Sequence, residues 1–302
     1  MKTYNDIYLE ARRKLRAAGI DAHDLEARLI VSFASGKPRE LLLGSDRFIV
    51  VSSSVIEASA EMIKRRLSGE PVAYITGEWE FYGLPMSVSR DVLIPRVDTE
   101  LLAGVAIGLL AENPPKGRPL ELSSQAPGNR ARLLDLCAGS GCVGIAVAAN
   151  VPDCRVVLAD NSLRALAISR MNMKKNRVTR NVTAIEADAL EEPQALLGTF
   201  DVLVSNPPYI PTAELKDIDR SVRDHEPMSA LDGGEDGLAF FRSITGKWIK
   251  LLKQDGQMAL ECGIGQAGDV RDIMQESGFR NIKTHIDTLG IERVIVGTKR
   301  RN

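Results

Sequence analysis

Two short segments of this chain carry residue types that chemistry can use. The first is Asn206-Pro207-Pro208-Tyr209-Ile210-Pro211, which follows the apolar run Phe200-Asp201-Val202-Leu203-Val204-Ser205. Two consecutive prolines cannot continue a central strand, because they lack N–H donors and fix φ, so a rigid loop leaves the strand there. That loop presents the Asn206 side-chain carbonyl, the backbone carbonyl of Pro207 and the Tyr209 ring. Two acceptors in fixed geometry suit the two hydrogens of a planar NH2 group, and an aromatic ring can stack on its plane.

The second segment is Cys137-Ala138-Gly139-Ser140-Gly141-Cys142-Val143-Gly144, set between a strand pattern and a helix pattern. Gly139, Gly141 and Gly144 have GxGxxG spacing: glycines let a ligand approach the backbone, and the helix N-terminus offers unpaired N–H groups to an anion. Asp160 ends the next strand, about 20 residues on, where a carboxylate accepts from ribose hydroxyls. The pair predicts an adenosine-type cofactor, and both NAD and S-adenosylmethionine fit it. A dehydrogenase has no use for an amino-group clamp, so the Asn206 loop favours the methyl donor.

These residues need a scaffold, and the chain supplies a regular one. From residue 131 strand patterns (132–136, 155–160, 182–186, 200–205, 257–261, 282–287 and 293–298) alternate with helical ones (141–149, 162–176, 240–252 and 266–277). This alternation predicts an open α/β sheet, mostly parallel, with helices on both faces and ligands beyond the C-terminal strand ends. The first 70 residues read instead as a small helical bundle. Thr3 and Asp6 form a capping box ahead of Ile7, Ala11 and Leu15, and Leu25, Leu29 and Phe33 form a second stripe. Ser54 and Glu57 cap a third helix with Ile56, Ala60, Ile63 and Leu67 on one face. The expected organisation is a helical domain over 1–70, a linker with a β-hairpin over 71–98, and a catalytic domain over 99–302. Thr99 to Ala111 reads as helix, and 112–131 as a long Pro/Gly/Ser-rich loop.

Composition narrows the function classes. Of 302 residues, 39 are Lys or Arg and 40 Asp or Glu, a net charge of -1. That balance argues against a general nucleic-acid binder, which carries a basic surplus. No stretch approaches the ~20 apolar residues of a membrane span, and the opening residues carry no apolar signal region. Cys137, Cys142, Cys154 and Cys262 and the histidines at 23, 225 and 285 have neither disulfide nor metal spacing. Reduced thiols, a cytoplasmic location and no metal are the expectation.

Four stretches together resemble a known family. They are Glu70-Pro71-Val72-Ala73-Tyr74-Ile75-Thr76-Gly77, Val92-Leu93-Ile94-Pro95-Arg96, the Asn206 loop, and Glu226-Pro227 through Ala230-Leu231-Asp232-Gly233-Gly234 to Asp236-Gly237-Leu238. The chain resembles the HemK-type protein-glutamine N5-methyltransferases, class I S-adenosylmethionine-dependent enzymes acting on peptide chain release factors. The resemblance implies a Rossmann-like methyltransferase domain with a seven-stranded mixed sheet, preceded by a helical domain that helps dock the release factor. It implies methylation of the glutamine in a Gly-Gly-Gln loop by a monomer that needs no nucleic acid.

By family position Cys137, Ala138, Gly139, Ser140, Gly141, Asp160, Ala189 and Asn206 hold the cofactor. Asp188 either faces the adenine amino group or caps a turn. Asn206, Pro207, Pro208 and Tyr209 hold the glutamine, with Asn206, Pro207 and Tyr209 catalytic. Cys137-Ala138 stands where the family usually has Gly-Thr, and Val97-Asp98 where it usually has Pro-Glu. The rival enzyme reading is an adenine or guanine amino-N-methyltransferase of nucleic acid, which shares the clamp. A rival of another class is a catalytically silent binding module.

Overall fold

The computed structural model describes residues 1–112 and 130–300, so the loop expected over 112–131 lies, but for its edges, outside the described residues. The chain divides into two compact units, Met1–Glu78 with Asp219–His225, and Trp79–Ile218 with Glu226–Asn302. No helix among the described residues is long and apolar enough to cross a membrane.

The first unit is built on helices Tyr4–Ala17, His23–Ser35 and Ser53–Leu67. The expected capping box is present: the Thr3 hydroxyl accepts from the Asp6 N–H, and the Asp6 carboxylate accepts from the Thr3 N–H. Two expectations need correction. The His23–Ser35 helix buries Ala27, Ile30 and Val31, while Leu25 and Phe33 are each 45% exposed. Glu26 is buried on that face because Arg66 donates to it through Nε at 2.6 Å and Nη2 at 3.2 Å, so an ion pair takes a place that the pattern gives to leucine. The Ser53–Leu67 helix starts at Ser52 without a side-chain cap, and it buries Ser59 and Ile63 while Ala60 and Leu67 face outward.

The second unit opens with a hairpin of β1 (Glu78–Phe81) and β2 (Leu84–Ser87). Its sheet has seven strands: β3 (Arg132–Leu136), β4 (Arg155–Asp160), β5 (Val182–Glu186), β6 (Phe200–Ser205), β7 (Leu252–Glu261), β8 (Phe279–Ile286) and β9 (Glu292–Lys299). The order is β5-β4-β3-β6-β7-β9-β8, parallel through β7 and antiparallel at β9 and β8. Alternating residues feed two cores, as a period of 2 requires. Leu133, Val202 and Val204 join the Thr99–Glu112 and Cys142–Asn150 helices on one face. Leu134, Leu136 and Leu203 join Phe241, Trp248 and Met274 on the other.

β7 is longer than the 257–261 strand expected. Phe200 pairs with Leu252 but Val202 with Gln257, so extra residues bulge out of β7, and Asp255 there takes a left-handed φ of +61°. A Gln-Asp-Gly sequence reads as a turn, and the structure uses it as a bulge within one strand.

Candidate active site

The chain runs outward from β3 through β4 to β5, then returns to place β6 on the other side of β3. Loops leaving the C-terminal ends of β3 and β6 diverge there, which makes a crevice. The strand ends are tied together: Leu136 pairs with Ser205, and the fully buried Ser205 hydroxyl donates to the Leu136 carbonyl at 2.6 Å. The two segments of chemical interest begin one residue beyond that bond.

They line one cavity. Its walls include Cys137, Ala138, Gly139, Ser140, Asp160, Ala189, Asn206 and Pro208, together with Arg96, just before the Thr99–Glu112 helix, and Thr99 at its start. Gly141, Asp188, Pro207 and Tyr209 are not among the lining residues. Asp188 caps a turn, its Oδ1 accepting from the Leu190 N–H at 2.8 Å, while Ala187 and Ala189 on either side face the cavity.

The glycine-rich loop is held from two directions. Asp160 Oδ2 accepts from the Gly139 N–H at 2.8 Å, and Oδ1 from the Ser162 N–H at 2.9 Å. Gly139 has a φ of +54°, and a Cβ there would meet nothing within 4 Å. Gly144 is the opposite case: a Cβ would lie 2.3 Å from Leu158 Cδ2, so the helix and β4 touch only because it is glycine. The fully buried Asn172 braces the loop from behind, donating to the Ser140 and Ser87 carbonyls and accepting from the Ser87 N–H. Neither Asn172 nor its reach to the β2 hairpin was legible in the sequence, since 85 residues separate Ser87 from Asn172.

The Asp160 carboxyl is pushed up by burial, with Asp188 adding to the rise and its two N–H bonds opposing it. A carboxylate offers about four lone-pair positions, and two are used here. A buried acid in want of further donors fits a ribose diol, whose two hydroxyls favour the charged form. Asp135, buried in β3, is pushed up to about 7 by desolvation although it accepts the Gly144 N–H at 2.8 Å.

The Asn206 loop is clamped more tightly. Asn206 Nδ2 donates to Thr99 Oγ1 at 3.1 Å, and Thr99 Oγ1 donates to Glu261 Oε1 at 3.1 Å. Among the described residues no donor reaches Asn206 Oδ1 or the Pro207 carbonyl. The Tyr209 carbonyl accepts from Gln266 Nε2 at 2.9 Å, and Ile210 exchanges backbone bonds with Leu231 and Gly233. Gly233 is required there, because a Cβ would lie 2.7 Å from Tyr209 Cα. The Tyr209 hydroxyl is pushed up to about 12 by burial and the nearby Glu261 charge, so it stays neutral.

Two carboxylates escaped the sequence reading as working groups. Glu226, its side chain 1% exposed, accepts from the Arg96 guanidinium and the Ile94 N–H, which fixes the Arg96 segment against the cavity. Glu261, at the end of β7, stands behind Thr99. The signal for Glu226 was its Glu-Pro context; Glu261 left none, being joined to Thr99 across 162 residues.

The chain is similar to known proteins over most of its length. Residues 6–77 match the PrmC N-terminal domain family and residues 120–221 the Methyltransferase small domain family. A release factor glutamine methyltransferase of Geobacter sulfurreducens is 36% identical over 289 residues, 95% of this chain and 93% of that protein. One of Clostridium acetobutylicum is 31% identical over 97% of this chain and 98% of its own length. A bifunctional methyltransferase of Rickettsia felis is 36% identical over 95% of this chain, which spans 56% of that longer protein. Among solved structures, the hMettl16 catalytic domain in complex with MAT2A 3'UTR hairpin 6 shares the fold, with a TM-score of 0.54 at 13% identity over 80% of this chain and 83% of that one.

Proposed function

The chain belongs to the release factor glutamine methyltransferases, and on that premise we propose that it transfers a methyl group from S-adenosylmethionine to the side-chain amide nitrogen (N5) of the glutamine in the Gly-Gly-Gln motif of peptide chain release factors. One observation carries the assignment of roles. Thr99 Oγ1 accepts from the Asn206 NH2 group and no donor among the described residues reaches Asn206 Oδ1, so in a cavity that also holds Asp160 and Gly139 the Asn206 carbonyl is left for a ligand. S-adenosylmethionine, when bound, supplies the electrophilic sulfonium methyl.

The residues of the chain do the rest by placement. Asp160 accepts from the ribose hydroxyls, and residues 137–140 with Ala189 and Asn206 hold the remainder of the cofactor, Gly141 and Asp188 shaping the turns that carry them. An amide nitrogen is a poor nucleophile because its lone pair is delocalised into the carbonyl. Asn206 Oδ1 and the Pro207 carbonyl each accept one of its hydrogens, which fixes the plane of the amide and aims the nitrogen. As positive charge develops on that nitrogen both hydrogen bonds strengthen, so the clamp favours the transition state over the bound substrate. Pro208 and Tyr209 form the wall beside the amide. Tyr209 stays a neutral phenol and withdraws no proton, and the excess proton leaves to solvent after transfer.

The enzyme works in the cytoplasm as a monomer, and no nucleic acid takes part. Mass spectrometry of a release factor treated with S-adenosylmethionine and enzyme tests the reading. Wild type adds one CH2 to the Gly-Gly-Gln glutamine, and Asn206→Ala lowers the rate by ~100-fold or more. Methyl label appearing in DNA or RNA and not in the release factor would overturn the substrate assignment.

A further inference from the structure

An asparagine side chain carries a carbonyl on one branch and an NH2 on the other, and its shape alone does not decide which branch faces a ligand. In this protein the decision is made behind the cavity. Thr99 and Glu261 are each 2% exposed. A hydroxyl has one proton to give, and Thr99 gives it to Glu261 Oε1 at 3.1 Å. The Thr99 oxygen can then only accept from Asn206, which pins the NH2 branch at 3.1 Å and turns the carbonyl branch toward the cavity. The three groups come from the start of the Thr99–Glu112 helix and from the ends of β6 and β7. A carboxylate is the one side chain that can only accept, and buried Glu261 has an oxygen, Oε2, with no partner among the described residues.

We propose that Glu261, acting through Thr99, is the positioning residue that sets the polarity of the Asn206 amide, and that it thereby selects an NH2-bearing side chain such as glutamine over a carboxylate such as glutamate. This rests on the proposed function for the identity of the substrate, but the relay itself belongs to the free enzyme. Two outward acceptors hold an amide and repel a carboxylate; an inverted Asn206 would do neither.

The relay has a pH at which it reverses. Burial pushes Glu261 up to about 7, the Thr99 bond with Arg293 and Arg96 oppose the rise, and Asp98 adds to it; the neutral Tyr209 phenol and the Cys142 and Cys262 thiols also border it. Once protonated, Glu261 can donate to Thr99, which is then free to donate to Asn206 and draw its carbonyl inward. The clamp is therefore set on the alkaline side of that transition and lost on the acid side.

The test reads the side-chain NH2 resonances of Asn206 in 15N-labelled enzyme without substrate, assigned by their loss in Asn206→Ala. In wild type the pair shifts with a midpoint near the Glu261 transition, and Glu261→Gln and Thr99→Val abolish the shift while Thr99→Ser keeps it. With release factor, Glu261→Gln lowers kcat by ~30-fold, leaves KM within about twofold and removes the acid limb of the kcat profile. An Asn206 pair that titrates unchanged in Glu261→Gln, or a Glu261→Gln enzyme with wild-type kcat and pH profile, overturns the proposal. A wild-type enzyme that methylates no release factor yet shows the titrating pair would end the substrate reading and leave the relay standing.

Discussion

Cys137 holds a left-handed backbone, with a φ of +59°, at the head of the glycine-rich loop. That backbone is one glycine adopts freely. A non-glycine residue in this region costs roughly 1–2 kcal/mol, and glycine's own entropic cost is roughly 0.5–1 kcal/mol. Cys137→Gly should therefore leave urea stability within about 1 kcal/mol of wild type and keep methyl transfer. Cys137→Val, with a branched Cβ, should lose ~2 kcal/mol or more in the same measurement. The thiol is pushed up by burial and the neighbouring Asp160, so it stays protonated and is not a nucleophile.

A second residue-level expectation concerns Asp135. Its folded-state value of about 7 exceeds that of an exposed aspartate, near 4, so between those values the folded chain binds a proton that the unfolded chain has released. Stability then falls as pH rises from about 4 to about 7. Asp135→Asn keeps an acceptor for the Gly144 N–H and cannot ionise. Urea unfolding at pH 5 and pH 8 should find wild type losing on the order of 2 kcal/mol more than the variant across that interval. Equal losses would remove Asp135 from the account.

At the scale of elements, a loop glycine and a helix glycine of one segment make opposite demands. Gly144 sits where a Cβ would collide with Leu158 and Val156, so Gly144→Ala should separate the Cys142–Asn150 helix from β4 at a cost of ~2–3 kcal/mol, read by thermal unfolding. Gly139 has open space, so Gly139→Ala should cost only ~1 kcal/mol from its φ while weakening S-adenosylmethionine binding measured by calorimetry.

The catalytic unit was legible at this scale because strands buried on both faces read as short apolar runs between turn residues. The expected bounds of β3 to β6 are those observed. The helical unit was legible only in part. A helix between neighbours on several sides has more than one face that can serve, and the Glu26–Arg66 pair decided it in a way no hydrophobic pattern encodes. Asn206 stood out because two prolines follow it, and Asp160 because it ends the strand about 20 residues beyond the glycine-rich turn. Glu261 and Asn172 did not, since their partners lie 162 and 85 residues away in sequence.

At the scale of the whole molecule the near-equal counts of acid and base matter most. With 39 Lys and Arg against 40 Asp and Glu, the molecule has little net field to hold a polyanion. Fluorescence anisotropy with labelled duplex DNA or RNA at physiological salt should give a Kd weaker than ~100 μM, the upper end of non-specific binding. Added nucleic acid should leave methylation of the release factor unchanged.

The bond from the Ser205 hydroxyl to the Leu136 carbonyl reaches further than its length suggests. It joins β3 to the middle strand β6 at the point where the glycine-rich loop and the Asn206 loop depart, so the roots of both loops are held by the centre of the sheet. Amides at the roots of these loops should therefore exchange hydrogen as slowly as those of the central strands, read by native-state hydrogen exchange. Activity lost on heating should then coincide with loss of the fold, read by methyl transfer and circular dichroism along one heating ramp.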